Sequence, residues 1–278
     1  AFMVADVGLA ADRPNIVVIL ADDMGYGDVQ ALNPESTIPT PNLNRLAREG
    51  MTFADAHSPS AVCTPTRYAL LTGRYCWRTR LTRGVLGGFS APLMQPGRQT
   101  IATVLRNAGY RTGCVGKWHL GLDWKFTGDK EIAQQDNMGL DPRPGTVDYA
   151  APFEQGPLAF GIDTCTIIPA SLDMTPYVYI HDRHVVQPPS RTLPGARFPA
   201  FYRGGPAAAD FEIDHVLDHL TNAATEFIRQ SVGSGQPFFL YFPLSAPHKP
   251  VSPHPQFQGA MQLGPYGDFI VEVDDTVG

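Results

Sequence analysis

The chain has 278 residues, enough to bury a substantial core in one large or two small domains. It is 43% hydrophobic and 17% charged, with no apolar run long enough to span a bilayer, which excludes a helical membrane protein. A formal net charge of −6 without any Lys/Arg block excludes a nucleic-acid-binding surface.

Ala1–Ala11 (AFMVADVGLAA) is apolar and ends in small residues, so residues 1–12 are expected to be a signal-peptide remnant or a disordered tail. A folded domain is expected over 13–278. It opens with Asn15–Leu20 (NIVVIL), a continuous β-branched run that predicts a strand buried on both faces of a parallel sheet. The run stops at Ala21-Asp22-Asp23-Met24-Gly25-Tyr26-Gly27-Asp28. Two carboxylates at the carboxyl end of a central strand lie where open α/β sheets place ligands. Adjacent acids repel unless compensated, and hard divalent cations prefer such oxygens; a solvated turn is the competing reading. Asp28 reads as a local cap.

Thr40-Pro41 predicts the start of a short helix with Leu43, Leu46 and Ala47 on one face, ended by Gly50. Met51–Ala56 reads as a strand. It leads into the stretch around which the chain is organised, Cys63-Thr64-Pro65-Thr66-Arg67 followed by Leu70-Leu71-Thr72-Gly73-Arg74. Pro65 suits a first helical turn, where its missing N–H costs nothing, and Gly73 suits the end. Cys63 then sits just before the helix, where free N–H groups and the macrodipole favour an anion, and Arg67 lies one turn on along the same face. A sulfur nucleophile beside a cation is one reading, and a buried Cys before an ordinary helix is the other. Arg74–Met94 is irregular and Arg-rich; a solvated loop is the default for it, and anion contact the alternative.

Thr100–Ala108 predicts an amphipathic helix with Thr100 as N-cap and Gly109 as stop. A strand over Arg111–Val115 then delivers Gly116-Lys117-Trp118-His119-Leu120-Gly121. If this stretch is extended, Lys117 and His119 point the same way, and two basic groups could hold an anion and move a proton. Residues of about 129–205, rich in Pro, Asp and Gly, read as an insertion over the active face. Asp148, Asp163, His181 and His184 lie there without any signal that ranks them. Asp210–Val232 is the longest helical pattern, with Ile213, Val216, Leu217, Leu220, Ala224, Phe227 and Ile228 on one face. It feeds an apolar strand, Pro237–Phe242, which ends at Ser245-Ala246-Pro247-His248-Lys249-Pro250. A helix capped by Asp268 is expected at the end. The four cysteines, Cys63, Cys76, Cys114 and Cys165, lack metal-type spacing.

Four stretches together resemble the type I, formylglycine-dependent sulfatases: P-N-I-V-V-I-L-A-D-D-M-G-Y-G-D, C-T-P-T-R with L-L-T-G-R, G-K-W-H-L-G, and S-A-P-H-K-P. Within that family the chain is most similar to secreted bacterial arylsulfatases and N-acetylgalactosamine-6-sulfatase-like members. Thr66 departs mildly from the Ser or Ala usual at its position. The resemblance implies an α/β, alkaline-phosphatase-like fold, a mostly parallel sheet with helices on both faces. It implies that Cys63 is converted to formylglycine, and that Asp22 and Asp23, with the modified Cys63, hold calcium, or magnesium as the alternative. Lys117 binds the sulfate, His119 serves the formylglycine hydroxyl, His248 protonates the leaving alcohol, and Arg67 spreads charge. The implied partners are a small-molecule or glycan sulfate ester and a formylglycine-generating or anaerobic maturation enzyme, in a periplasmic or secreted setting. Family members continue well beyond this chain with further metal and sulfate ligands, so the fold is expected to be truncated at its C-terminus. A weak metal site is then expected, with an open sheet edge through which copies could pair. A phosphonate or phosphodiester hydrolase on the same motif, or a non-catalytic fragment that binds sulfated ligands, are the rival readings.

Overall fold

The computed structural model describes residues 13–127, 145–198 and 200–278. The expectation for residues 1–12 lies outside these, as does part of the 129–205 insertion, residues 129–144 and 199. In chain order the strands are β1 (Ile16–Asp22), β2 (Arg111–Lys117), β3 (Lys125–Phe126), β4 (Val147–Asp148), β5 (Thr164–Ile168), β6 (Ile180–His181), β7 (His184–Val185), β8 (Arg191–Leu193), β9 (Gly205–Ala207) and β10 (Phe238–Pro247). The helices are α1 (Pro41–Glu49), α2 (Cys63–Thr72), α3 (Ile101–Asn107), α4 (Val216–Ser234) and α5 (Pro265–Val277).

Six strands form one sheet in the order β1-β10-β2-β5-β6-β7, parallel from β1 to β5 and antiparallel thereafter. The last strand in sequence thus lies between the first two, and all ten of its residues are buried. Two glycines of β2 permit this packing. A Cβ on Gly113 would come within 2.5 Å of the Phe227 ring, so its absence seats α4 on the sheet. Gly116 has φ 130°, and a Cβ there would meet the Pro243 carbonyl of β10 at 2.0 Å. The buried stripe of α4, including Val216, Leu217, Leu220 and Phe227, then covers the strands, each large side chain contributing roughly 1.5–3 kcal/mol of transfer energy. On the α3 side, Thr100 and Thr103 form a reciprocal capping box and Thr112 of β2 donates to the Gly161 carbonyl.

Several expectations change here. β1 is an edge strand, with Val17 and Ile19 about 40% exposed, because a continuous apolar run signals a demand for burial but not how many neighbours meet it. Val17, Ile19, Leu43 and Leu46 line an apolar groove of about 780 Å³ along that edge. Met51–Ala56 forms no strand, and Met51 and Phe53 are exposed. Within the region of about 129–205 read as a loop-rich insertion, Thr164–Ile168 forms β5, a parallel member of the central sheet paired to β2. Asp268 does not cap α5; its carboxylate accepts the Gly259 and Met261 N–H groups and ties down the preceding turn, while Gly264 stands at the N-cap.

α1 is capped from a distance. Thr40 makes no side-chain cap bond, because its hydroxyl accepts from Gln30 N and meets Asn44. Asp274 of α5 accepts the free N–H groups of Asn42 and Leu43 instead, at 3.1 and 2.8 Å. No described helix is long and apolar enough to cross a membrane.

Candidate active site

The site lies at the carboxyl ends of β1, β2 and β10. α2 begins at Cys63 after Val62 in an extended conformation, and ends at Gly73 with φ 64°, so Cys63 is the first helical residue rather than the one before it. Thr64 is fully buried: its hydroxyl donates to the His119 carbonyl at 3.0 Å and accepts from Leu86 N at 3.2 Å. That pair of bonds fixes the start of α2 against the loop after β2.

β1 ends in Asp22, 5% exposed, which takes two cations on one carboxylate. Arg67 donates to its Oδ2 at 3.0 Å and Lys117 Nζ pairs with the same oxygen. Those charges hold the Asp22 carboxyl well below the usual carboxylate range despite burial. Arg67 also donates to the carbonyls of Lys117, at 2.8 Å, and Leu244, at 3.3 Å. It therefore braces three strands from beneath, with both terminal nitrogens committed to protein acceptors and only Nε left without a partner. Lys117 Nζ donates further to Ser171 Oγ at 3.1 Å.

His119 reaches the site by a turn and not by strand alternation: β2 ends at Lys117 and His119 adopts φ 53°. Asp23 has φ 62°, so two of the three described non-glycine residues in the left-handed region stand here, at a cost of about 1–3 kcal/mol each. His119 Nε2 lies 2.7 Å from the Leu86 carbonyl and so carries the ring proton, which leaves Nδ1 as a buried acceptor without a hydrogen-bond partner. Burial lowers its pKa and keeps the ring neutral. His248 follows β10. Its Nδ1 lies 2.6 Å from the Lys249 carbonyl and 3.2 Å from Ser171 Oγ, and its Nε2 is 3.4 Å from Asp23. Burial works against its charged form, but hydrogen bonding to Cys63 and the Asp22 charge outweigh it, so its pKa is raised. The two histidines are pushed in opposite directions, one toward a base and one toward an acid.

Cys63 lies between them. Burial resists its ionisation, yet the adjoining His119 and His248 side chains and the Lys117 charge bring the thiol down to about 4. Asp22, Asp23, Cys63, Thr66 and Arg67 line one cavity of about 250 Å³. The other cysteines are free, and burial raises the pKa of each.

A family model described as Sulfatase matches residues 14–278. The chain belongs to the sulfatase family. It is 32% identical over 307 residues to the N-acetylgalactosamine-6-O-sulfatase of Bacteroides thetaiotaomicron, an alignment covering 98% of this chain and 56% of that one. It is 35% identical over 287 residues to arylsulfatase A of Bos taurus, covering 97% and 48%. Among solved structures it is similar to a Bacteroides thetaiotaomicron protein described with the metabolism of multiple glycosaminoglycans, at TM-score 0.78 and 31% identity over 96% of this chain and 58% of that one. A Pseudoalteromonas sulfatase gives TM-score 0.66 at 26% identity, over 96% and 50%. The sulfatase chain here spans about half the length of the relatives it matches. Its mostly parallel sheet is the alkaline-phosphatase-like architecture that the motifs implied.

Of the residues singled out by motif, Asp22, Asp23, Cys63, Arg67, Lys117, His119 and His248 converge on this one site. Asp148, Asp163, His181 and His184 stand elsewhere; Asp163 accepts from Thr112 N and His181 meets Thr166. Lys249 lies over the Phe201 ring, 4.8 Å from its centroid. Two positioning groups were not singled out by the sequence: Ser171, which bridges Lys117 and His248 and lies in no motif, and Thr64, which lies inside C-T-P-T-R.

For a divalent cation the residues present fit part of a shell. Burial raises the Asp23 pKa, and Asp22 beside it adds like charge, a repulsion that a cation among these oxygens would relieve. Among the described residues no group of three or more His, Cys, Asp or Glu is arranged to hold a metal alone. Asp274, a conceivable substitute ligand, is committed to capping α1.

Proposed function

We propose that this sulfatase-family chain carries the catalytic core of a sulfate monoester hydrolase acting on an aryl or glycan sulfate. The observation that supports the reading best is the convergence on Cys63, at the start of α2, of His119, whose pKa is lowered, His248, whose pKa is raised, and the Lys117–Asp22–Arg67 network. Converted to formylglycine by a maturation enzyme, position 63 supplies a hydrated aldehyde as the nucleophile toward sulfur. Asp22 and Asp23 would hold calcium, which supplies charge stabilisation to the sulfate oxygens.

The chain's own groups have separable tasks. Lys117, held by Asp22 and Ser171, keeps a fixed positive charge beside the reacting position. His248, protonated and oriented by the Lys249 carbonyl, donates its Nε2 proton to the departing alkoxide or phenoxide. His119, with Nε2 locked on the Leu86 carbonyl, accepts a proton at Nδ1. Arg67 keeps Asp22 ionised and the three strand ends in register, which makes it a positioning residue. The substrate is proposed to reach the site in an exported compartment.

Peptide mass spectrometry of residue 63 after co-expression with a maturation enzyme, beside turnover of an activated aryl sulfate, tests the reading. Aldehyde at position 63 with turnover abolished by Cys63→Ala is expected. Unmodified thiol with unchanged turnover in Cys63→Ala would overturn it, and faster cleavage of phosphonate esters would reassign the substrate class.

A further inference from the structure

At the opposite end of α2 lies a second cavity of about 510 Å³, lined by Arg74, Arg78, Arg80 and Arg98 together with Tyr68 and Gln155. It shares no lining residue with the Cys63 cavity. Arg67 lines one cavity and its neighbour Tyr68 the other, so the two open on different faces of α2, and Arg74 follows two positions after the helix end. Among the described lining residues there is no carboxylate, although the chain as a whole is acidic. Arg80 forms one wall, its two terminal nitrogens donating to the Pro92 and Ala91 carbonyls at 2.6 and 2.7 Å.

The other three differ. Among the described residues Arg74, Arg78 and Arg98 form no ion pair, and the Nε atoms of Arg74 and Arg98 are buried without a hydrogen-bond partner. Solvated surface arginines would account for exposed Arg78 but not for two buried guanidinium donors left unused. An unsatisfied buried donor is costly, and converging like charges add to that cost. A multi-oxygen anion relieves both at once, because each guanidinium offers a planar fork matched to such oxygens. A concave wall of one sign also concentrates anions of the opposite sign.

We propose that this cavity is a second oxyanion site, which holds a sulfate group of a polyanionic glycan remote from the reacting ester. The oxyanion chemistry stands on the cavity alone; the choice of a sulfated glycan as its source rests on the proposed function. The site would favour polymeric over small substrates by anchoring a chain at two points.

The test uses the full chain carrying Cys63→Ala, so that neither maturation nor turnover enters the readout. Inorganic sulfate, a chondroitin sulfate hexasaccharide and its desulfated counterpart are titrated calorimetrically, with and without Arg78→Gln, and with Arg78→Gln/Arg98→Gln. The sulfated hexasaccharide should bind at least about tenfold more weakly to the double variant, with a shallower salt dependence, at an unchanged melting temperature. Inorganic sulfate should lose one of two binding events. Arg78 is exposed, so the single variant keeps the test open if the double variant folds poorly. Equal affinity of all three probes for parent and variants overturns the site. Loss for inorganic sulfate alone, with the hexasaccharide unchanged, overturns the glycan source, as does equal binding of the desulfated chain. Failure of the proposed function shows separately, in the residue 63 mass and in aryl sulfate turnover.

Discussion

Glu272 is the carboxyl group outside the site, among the described residues, whose surroundings most oppose ionisation, and Glu272→Gln should stabilise the protein increasingly as pH rises from about 4.5 to about 7 and fully above that. It lies in α5, 3% exposed, with Oε2 accepting the His254 N–H at 2.8 Å. Burial is the largest influence, and Asp218, Asp214 and Asp275 add negative charge around it; the His254 N–H offsets only part, so the pKa moves from 4.5 up to about 7. With the folded-state pKa raised, the folded chain keeps a proton that the unfolded chain has released. Stability therefore falls as pH climbs from about 4.5 to about 7 and stays lower above that window. At about 1.36 kcal/mol per pH unit the loss amounts to about 3 kcal/mol. Gln keeps an oxygen for the His254 N–H and removes the charge. Urea unfolding of parent and variant should coincide near pH 4 and diverge by about 3 kcal/mol at pH 8, the variant being the more stable. An equal difference at both pH values, or a less stable variant at pH 8, would refute the assignment of the buried charge.

His248→Ala should depress turnover of esters with poor leaving groups by about 10²–10⁴-fold and of activated aryl sulfates far less, since a stable phenolate needs little proton assistance. A leaving-group series read by initial rates decides it, and uniform losses would make His248 structural. Asp274→Ala should cost about 1–2 kcal/mol in denaturant unfolding through loss of the α1 cap, while calcium affinity measured by titration stays the same. A fall in calcium affinity would make Asp274 a metal ligand.

Residues whose roles are local were legible in the chain. Cys63, Lys117, His119 and His248 each stand at or just beyond an element terminus, inside a short motif; the termini beside Cys63 and Lys117 were located within a residue or two, whereas β10 runs five residues past its expected end at Phe242. Ser171 was not legible, because it enters the site through the loop after β5, and β5 was hidden in a stretch read from its Pro and Gly content as an insertion. Arg67 was found, but its direction was not: spacing along α2 gives the face, while the partners beneath it come from Asp22, Lys117 and Leu244, far apart in sequence. The same limit explains Asp268 and Asp274. An acid near a helix start suggests a cap, and only tertiary packing decides that one ties a preceding turn and the other serves a helix more than two hundred residues earlier.

The insertion of β10 between β1 and β2 also sets a clock. Neither the Arg67 bond to β10 nor the His248 side of Cys63 can form until the ribosome has made the chain through His248. The roughly 180 residues that separate Cys63 from the end of β10 take about 10–40 s to synthesise at ~5–20 residues per second. For that interval the segment around Cys63 has no finished sheet to dock on. Slowing elongation between residues 63 and 247 should lengthen that interval without altering a single contact of the finished fold.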